Sequence, residues 1–333
     1  MQTFLYKRRA VVNGASAVYH LISRTSFRHH AFDDVDKEAW VHLLHKQSAF
    51  SGVEVLCYCI LDNHFHLLVR IPHHPHLDDD ELLRRYRNLY GGAHRSLRAI
   101  APDALEQLFK TPTQEADSWR NRLKARMGNP STFIRELKLR FCIWYNRRHQ
   151  NTGTLWSARY KSLIVEDDPE ALVRVSAYID LNPVRAGLTE DPGTYRFCSH
   201  AAAIAGDSKA RVGYCSIYRM NEWEPCMRSH RMLVFEKGAS LPHPAANKGK
   251  IPESSVNEVL DSEGQISMAE LMRKRIRYFS DGMALGRDPF LQELFKQQRH
   301  LFPPERKTGF SAPQGGGWGD LKVMRKLRVN PVG

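Results

Sequence analysis

Two histidines separated by a single residue, His64 and His66, are the side chains of this sequence best placed to do chemistry. They sit at the start of an apolar run, Phe65 to Ile71, that reads as a β-strand. Side chains alternate along a strand, so both imidazoles take one face, about 7 Å apart at a rise of about 3.3–3.4 Å per residue. Phe65, Leu67 and Val69 take the other face. An imidazole in an apolar strand costs free energy to bury unless a partner satisfies it. A shared cation would be such a partner; ordinary hydrogen bonds or a surface position would serve as well. The second group is Tyr178 with Asn182, spaced i and i+4 in a helical pattern and so expected on one helix face. A phenol can act as a covalent nucleophile, and a carboxamide oxygen is a hard ligand. Two imidazoles and one amide oxygen give three ligands with no compensating negative charge. Such a set would hold Mg²⁺ or Mn²⁺ weakly and leave positions for phosphate oxygens. A phenol with a pKa near ~10 is protonated at neutral pH, so Tyr178 would need a proton acceptor or a positive field, which the sequence does not identify.

The elements that must position these groups follow from periodicity. Ala17 to Ser23 reads as a strand. Asp33 caps a helix to about Phe50, with Val35, Ala39, Leu43 and Leu44 inward. Val53 to Leu61 and Phe65 to Ile71 are two strands around an Asp62-Asn63 turn. Ser131 opens a long helix with Phe133, Leu137, Phe141 and Trp144 at helical spacing, and Tyr160 to Glu166 is a further strand. Asp168-Pro169 starts a helix that runs through Leu181 and stops at Asn182-Pro183. The order strand, helix, strand, strand, helix, strand fits an α+β, ferredoxin-like split βαβ core: an antiparallel sheet with helices on one face. Residues 1–205 are expected to form this catalytic part. An insertion of about residues 73–130 interrupts it, partly helical and without clear core periodicity. Residues 206–262 read as linker and irregular chain. Residues 263–333 read as a small helical extension, either a helix-turn-helix or a packed helical hairpin built from Met268–Tyr278 and Pro289–His300 around Asp281-Gly282, followed by a basic tail.

Lys and Arg outnumber Asp and Glu, for a formal net charge of +13, which favours an anionic partner such as nucleic acid. Between Trp119 and Gln150 the only acidic residue is Glu136, and the basic residues there alternate with Phe133, Phe141, Trp144 and Tyr145. A basic groove with aromatics suits a nucleic-acid backbone; for the aromatics themselves, core packing is the better reading. The six cysteines form no C-x-x-C pair, and Cys57 and Cys59 read as packed strand thiols. No apolar run is long enough for a membrane span and the N-terminus does not read as a secretory signal, so a cytoplasmic protein without a membrane partner is expected.

Four ordered motifs now carry a resemblance: Asn63-His64-Phe65-His66-Leu67-Leu68; Tyr145-Asn146-Arg147-Arg148; Gly153-Thr154-Leu155-Trp156 with Arg159-Tyr160-Lys161-Ser162; and Tyr178-Ile179-Asp180-Leu181-Asn182-Pro183-Val184-Arg185-Ala186-Gly187-Leu188. Together they resemble the REP-associated tyrosine transposases of the wider HUH single-tyrosine transposase group, over roughly residues 10 to 205. The resemblance implies a ferredoxin-like core, a divalent metal, and cleavage and rejoining of single-stranded DNA beside a hairpin through a 5′-phosphotyrosine intermediate. By position it makes His64, His66 and Asn182 the metal ligands and Tyr178 the nucleophile. Arg147, Arg148, Arg159, Lys161 and Arg185 are expected to contact DNA. Relatives include monomers and homodimers. The interval between His66 and Tyr178 is long for the family. Tyr145 and Tyr160 lie in matching motifs but lack a ligand-like residue at i+4. His73, His74 and His76 read as a solvated loop.

Three rivals follow from the same residues. A catalytically silent hairpin DNA- or RNA-binding module would share the fold, but an RNA-recognition sheet carries aromatics where this one carries histidines. A decayed relative would have lost some of the four candidate residues. A hydrolytic metalloenzyme would need H-E-x-x-H or a comparable His-carboxylate set, which is absent from the sequence.

Overall fold

The structure is a computed structural model that describes residues 16–26, 31–72, 77–91, 99–239, 251–264, 282–286, 288–297, 299, 302, 304–311 and 322–325. It divides into two compact units, one of Met1–Asn182 with Ser216–Arg219, the other of Pro183–Cys215 with Met220–Gly333.

The first unit holds a four-stranded antiparallel sheet of β1 (Ala17–Arg24), β2 (Glu54–Ile60), β3 (His64–Ile71) and β4 (Lys161–Val165), in the order β2-β3-β1-β4. This is the expected split βαβ order, with β1 and β3 in the centre. α1 (Asp34–Ser51) starts at a capping box, in which Asp33 and Asp36 bond each other's backbone N–H groups. Its inner stripe is Ala39, Trp40 and Leu44, and Trp40 packs against Phe65 with the rings tilted. Val35, expected inward, is exposed. Its place is taken by Asp36, which is fully buried but paired with Arg148 and His149 of α5. An ion pair, not an apolar residue, closes that end of the helix.

α5 (Pro130–His149) is capped by Asn129, two residues before the expected Ser131, with Pro130 in the first helical position. Phe133, Leu137, Phe141 and Tyr145 are its buried stripe, and Phe141 meets Phe32 and Trp156. Phe133, Phe141 and Tyr145 of this basic segment are therefore core, whereas Trp144, expected on the same stripe, is only half-buried beside Phe141. The Asp62-Asn63 turn manages without glycine because it is tied from outside: Lys37 Nζ bonds Asp62 Oδ1 at 2.5 Å, and the N–H groups of Ala31 and Phe32 donate to the Asp62 carbonyl.

The insertion is better ordered than its sequence suggests. α2 (Asp79–Tyr90), α3 (Pro102–Phe109) and α4 (Gln114–Lys124) bury Leu82, Tyr86, Leu105 and Leu123 in a separate small core that includes Phe50 of α1. Arg126 and Arg140 both donate to the Tyr90 hydroxyl, joining this core to α5. Three short helices meeting each other, rather than one long amphipathic helix, explain why no single periodicity stood out.

α6 (Pro169–Asp180) packs on β2 and β3, across the sheet from α1 and α5. Asp168 caps it by accepting from the Glu170 N–H. α7 (Asn182–Arg185) follows after one residue.

The stretch 206–262, expected as linker and irregular chain, is instead largely helical: α9 (Ser208–Tyr218), α10 (Trp223–Ala239) and α11 (Glu253–Asp261) follow α8 (Ser199–Ile204). Val256 and Val259 bury the inner side of α11 despite its polar composition. Farther on, the Gly282 of the expected Asp281-Gly282 break opens a strand, β5 (Gly282–Gly286). It joins β6 (Phe310–Ser311) and β7 (Lys322–Arg325) in a small sheet of order β5-β7-β6 beside α12 (Asp288–Gln297). The other expected helix, Met268–Tyr278, lies outside the described residues, as do His73, His74 and His76. No helix of the described residues is long and apolar enough to cross a membrane.

Candidate active site

Strand register assembles the site. Ile22 of β1 lies opposite His66, and Arg24 opposite His64, so these four side chains share one sheet face with His20 and Cys59. The two histidine rings lie edge to face with centroids 5.3 Å apart. His66 is 4% exposed and His64 is half-buried. Each has a partner at Nδ1. Asn63 Oδ1 lies 2.7 Å from His64 Nδ1, and His20 Nε2 lies 3.0 Å from His66 Nδ1 with the two rings near parallel.

Burial pushes the His64 imidazole down to about 4, helped by the positive charge of Arg24 and opposed by Asp62. Burial pushes His20 down to about 4 as well. Both rings are therefore neutral at physiological pH, and a neutral ring keeps a nitrogen lone pair for coordination.

Tyr178 reaches the same place from α6. Its ring, 45% exposed, stands edge-on to His66 at 5.9 Å and to His20 at 6.0 Å between centroids. The helix is held to the histidine strand by Arg70 of β3, whose guanidinium donates two bonds to Asp167, at 2.9 and 2.8 Å, just ahead of the α6 cap. Glu54 and Ser216 complete the Arg70 shell, and Arg219 donates to Asp167 from outside.

Asn182 does not share an unbroken helix with Tyr178. α6 ends at Asp180, and Asn182 opens α7 with its side chain folded back. Its Nδ2 donates to the carbonyls of Tyr178 and Ile179, at 2.9 and 3.0 Å. It thus closes the end of the tyrosine helix, and with the amide nitrogen so engaged Oδ1 remains as its acceptor atom. Among the described residues no three His, Cys, Asp or Glu side chains cluster as a metal site. A divalent ion here would depend on His64, His66 and the Asn182 amide oxygen. By donor chemistry these residues suit such an ion: the His64 ring is neutral, both histidines have Nδ1 engaged, and the Asn182 amide turns its nitrogen to its own helix.

The expected DNA contacts separate. Arg147, in the last turn of α5, and Lys161, in line with Ile22 and His66 across the sheet, are exposed. Arg159 lines a cleft of about 840 Å³ with Arg135, Lys138 and Trp156. Arg148 is committed elsewhere, bonded to Asp33 and Asp36 at 2.7 Å each. Arg185 belongs to the second unit, at the end of α7. The other motif tyrosines are occupied: Tyr145 donates to the Ala31 carbonyl, and Tyr160 bonds Ser131. His20, Arg70 and Asp167 were not singled out in the sequence. The only signal for His20 was a third histidine in an apolar strand, at a position whose neighbours depend on pairing.

The family model described as "Transposase IS200 like" matches residues 14–87, a segment that includes His20, His64 and His66 and ends before Tyr178. No curated protein matches the chain. Among solved structures, one described as "Structure of the REP associates tyrosine transposase bound to a REP hairpin" aligns with 60% of this chain and 84% of its own, at 14% identity and a TM-score of 0.37. The amino-terminal part of the chain is thus similar to IS200-like transposases.

Proposed function

We propose that this protein cleaves and rejoins single-stranded DNA beside a hairpin, using Mg²⁺ or Mn²⁺ and a 5′-phosphotyrosine intermediate on Tyr178. The observation that carries the reading is the approach of an exposed tyrosine to a strand-borne pair of histidines, with the ring 5.9 Å from His66. A satisfied core does not need a phenol there, and α6 is anchored to the histidine strand at its other end by the Arg70–Asp167 clamp. The family match over residues 14–87 supports the same reading for the histidine half of the site.

His64, His66 and the Asn182 amide oxygen would hold the ion. When bound, it would polarise the scissile phosphate and offset charge as the bond breaks. Tyr178 Oη, losing its proton, attacks the phosphorus; the bond to the 3′ oxygen breaks and that oxygen leaves as a hydroxyl. The DNA 5′ end stays on the tyrosine as a phosphodiester, so the bond is conserved and a second 3′-hydroxyl can displace Tyr178 without ATP. Arg147, Arg159, Lys161 and Arg185 are proposed to hold the DNA backbone. Arg148 is the weakest of the expected contacts, since two carboxylates already occupy it.

The test is a single-stranded oligonucleotide carrying a hairpin, incubated with protein and Mn²⁺ or Mg²⁺ and resolved on a denaturing gel. The expected result is a covalent protein–DNA adduct that is lost with chelator and in Tyr178→Phe. An adduct that persists in Tyr178→Phe overturns the nucleophile. Binding without an adduct on any hairpin substrate favours the catalytically silent module.

A further inference from the structure

The histidine pair does not stand alone on its sheet face. His20 lies on β1 opposite Leu68, one diagonal step from His66, and its ring lies edge to edge with the His66 ring, centroids 5.2 Å apart. Its Nε2 lies 3.0 Å from His66 Nδ1, in a contact with both rings nearly excluded from solvent. An imidazole–imidazole hydrogen bond needs one donor and one acceptor, so it fixes both tautomers at once. We propose that His20 is a positioning residue for metal binding: it accepts a hydrogen bond from His66 Nδ1–H, so that His66 presents Nε2 to a divalent ion. The inference rests on the metal-site reading given above and adds to it the group that orients one ligand.

Two features of the site favour this direction. On the neighbouring ligand, His64 Nδ1 faces Asn63 Oδ1 at 2.7 Å, and a carboxamide oxygen can only accept, so His64 Nδ1 carries the proton and Nε2 is the coordinating nitrogen. With His66 in the same tautomer, both rings of the pair offer the same nitrogen on the same sheet face. Second, the His20 and His66 rings lie within 25° of parallel with centroids 5.2 Å apart, so their 3.0 Å nitrogen contact runs edge to edge, and its hydrogen bond holds the His66 ring in orientation. A ligand whose tautomer and orientation are preset loses less freedom when it binds, and removing such an outer partner typically costs about 10- to 100-fold in metal affinity.

The test compares His20→Leu, which removes the acceptor but keeps an apolar side chain, with His20→Gln, whose Oε1 can still accept. Mn²⁺ affinity of the full-length protein is read by electron paramagnetic resonance of free Mn²⁺. The tautomer of His66 is read from imidazole ¹⁵N shifts of the metal-free protein, and thermal melts without metal confirm that each variant folds. The expected result is that His20→Leu weakens Mn²⁺ binding at least about 10-fold while His20→Gln stays within about threefold of wild type. His66 should carry its proton on Nδ1 in the wild type and lose that preference in His20→Leu. Unchanged affinity in a folded His20→Leu, or a wild-type His66 protonated on Nε2, overturns the proposal. His66→Ala serves as the control for the underlying reading. If it binds Mn²⁺ as well as wild type does, the metal-site assignment itself fails, which is distinct from a His66-dependent site indifferent to His20.

Discussion

Asp167→Ala is the perturbation that separates the scaffold of the site from its chemistry. Arg70 is 8% exposed and makes four bonds: two to Asp167, one to Glu54 at 3.1 Å and one to Ser216 at 2.5 Å. Removing Asp167 leaves a buried guanidinium with half its shell, and losing one partner of a buried pair costs about 3–5 kcal/mol. Because Glu54 and Ser216 remain, the lower end applies, about 3 kcal/mol, and at about 2–4 °C per kcal/mol for a unit of this size the melting temperature should fall by about 6–12 °C. Arg70→Met should cost less, since Asp167 keeps Arg219 and solvent. The double variant should be more stable than Asp167→Ala alone, giving a coupling energy of about 1–3 kcal/mol. Urea and thermal melts of the four proteins at pH 7 measure it. Hydrogen bonds from Arg70 hold the Asp167 carboxyl below its ordinary value. The contribution is therefore fully present above the unfolded pKa of about 3.9 and is lost only as pH falls through the lower folded value. The difference between wild type and Asp167→Ala should accordingly be flat from pH 8 to 5. Single variants that simply add, or an Asp167→Ala protein as stable as wild type, would refute the clamp.

Four further outcomes follow from the same structure. His20 and His64, both lowered to about 4, bind fewer protons folded than unfolded, so each contribution is intact above pH 6.5 and lost as pH falls towards 4. Replacing His20 with Gln should reduce the slope of metal-free stability against pH by up to about 1.4 kcal/mol per pH unit in that window, as followed by urea melts. Phe65→Ala, which empties a fully buried site against Trp40 and Trp156, should cost about 3–5 kcal/mol in urea unfolding. Lys161→Ala and Arg147→Ala should each weaken single-stranded DNA binding and lower the salt slope by about 0.7, measured by anisotropy at several salt concentrations. Arg148→Ala should leave that slope unchanged and lower the melting temperature instead, because Asp36 is fully buried against it.

Local features were legible in the residues themselves. Alternation along β3 places His64 and His66 on one face in any fold that uses this strand, and Asp168-Pro169 starts the tyrosine helix by chemistry that needs no distant partner. The same holds for the order of strands and helices, which limited the core to a split βαβ arrangement. Features that depend on pairing were not legible. His20 lies beside His66 only because β1 pairs with β3 in one register, and a shift of one residue would turn His20 to the opposite face. α6 lies across the sheet from α1 and α5, a choice made by packing on β2 and β3 rather than by its own periodicity. The insertion buries its apolar side chains between three helices that meet each other, so no single period runs through the segment. Arg148 reads as a free cation in a basic run until the fold brings Asp33 and Asp36 against it. The histidine pair was therefore given by sequence spacing. Its approach to Tyr178, and the partners at each Nδ1, were decided by contacts between residues far apart in the chain.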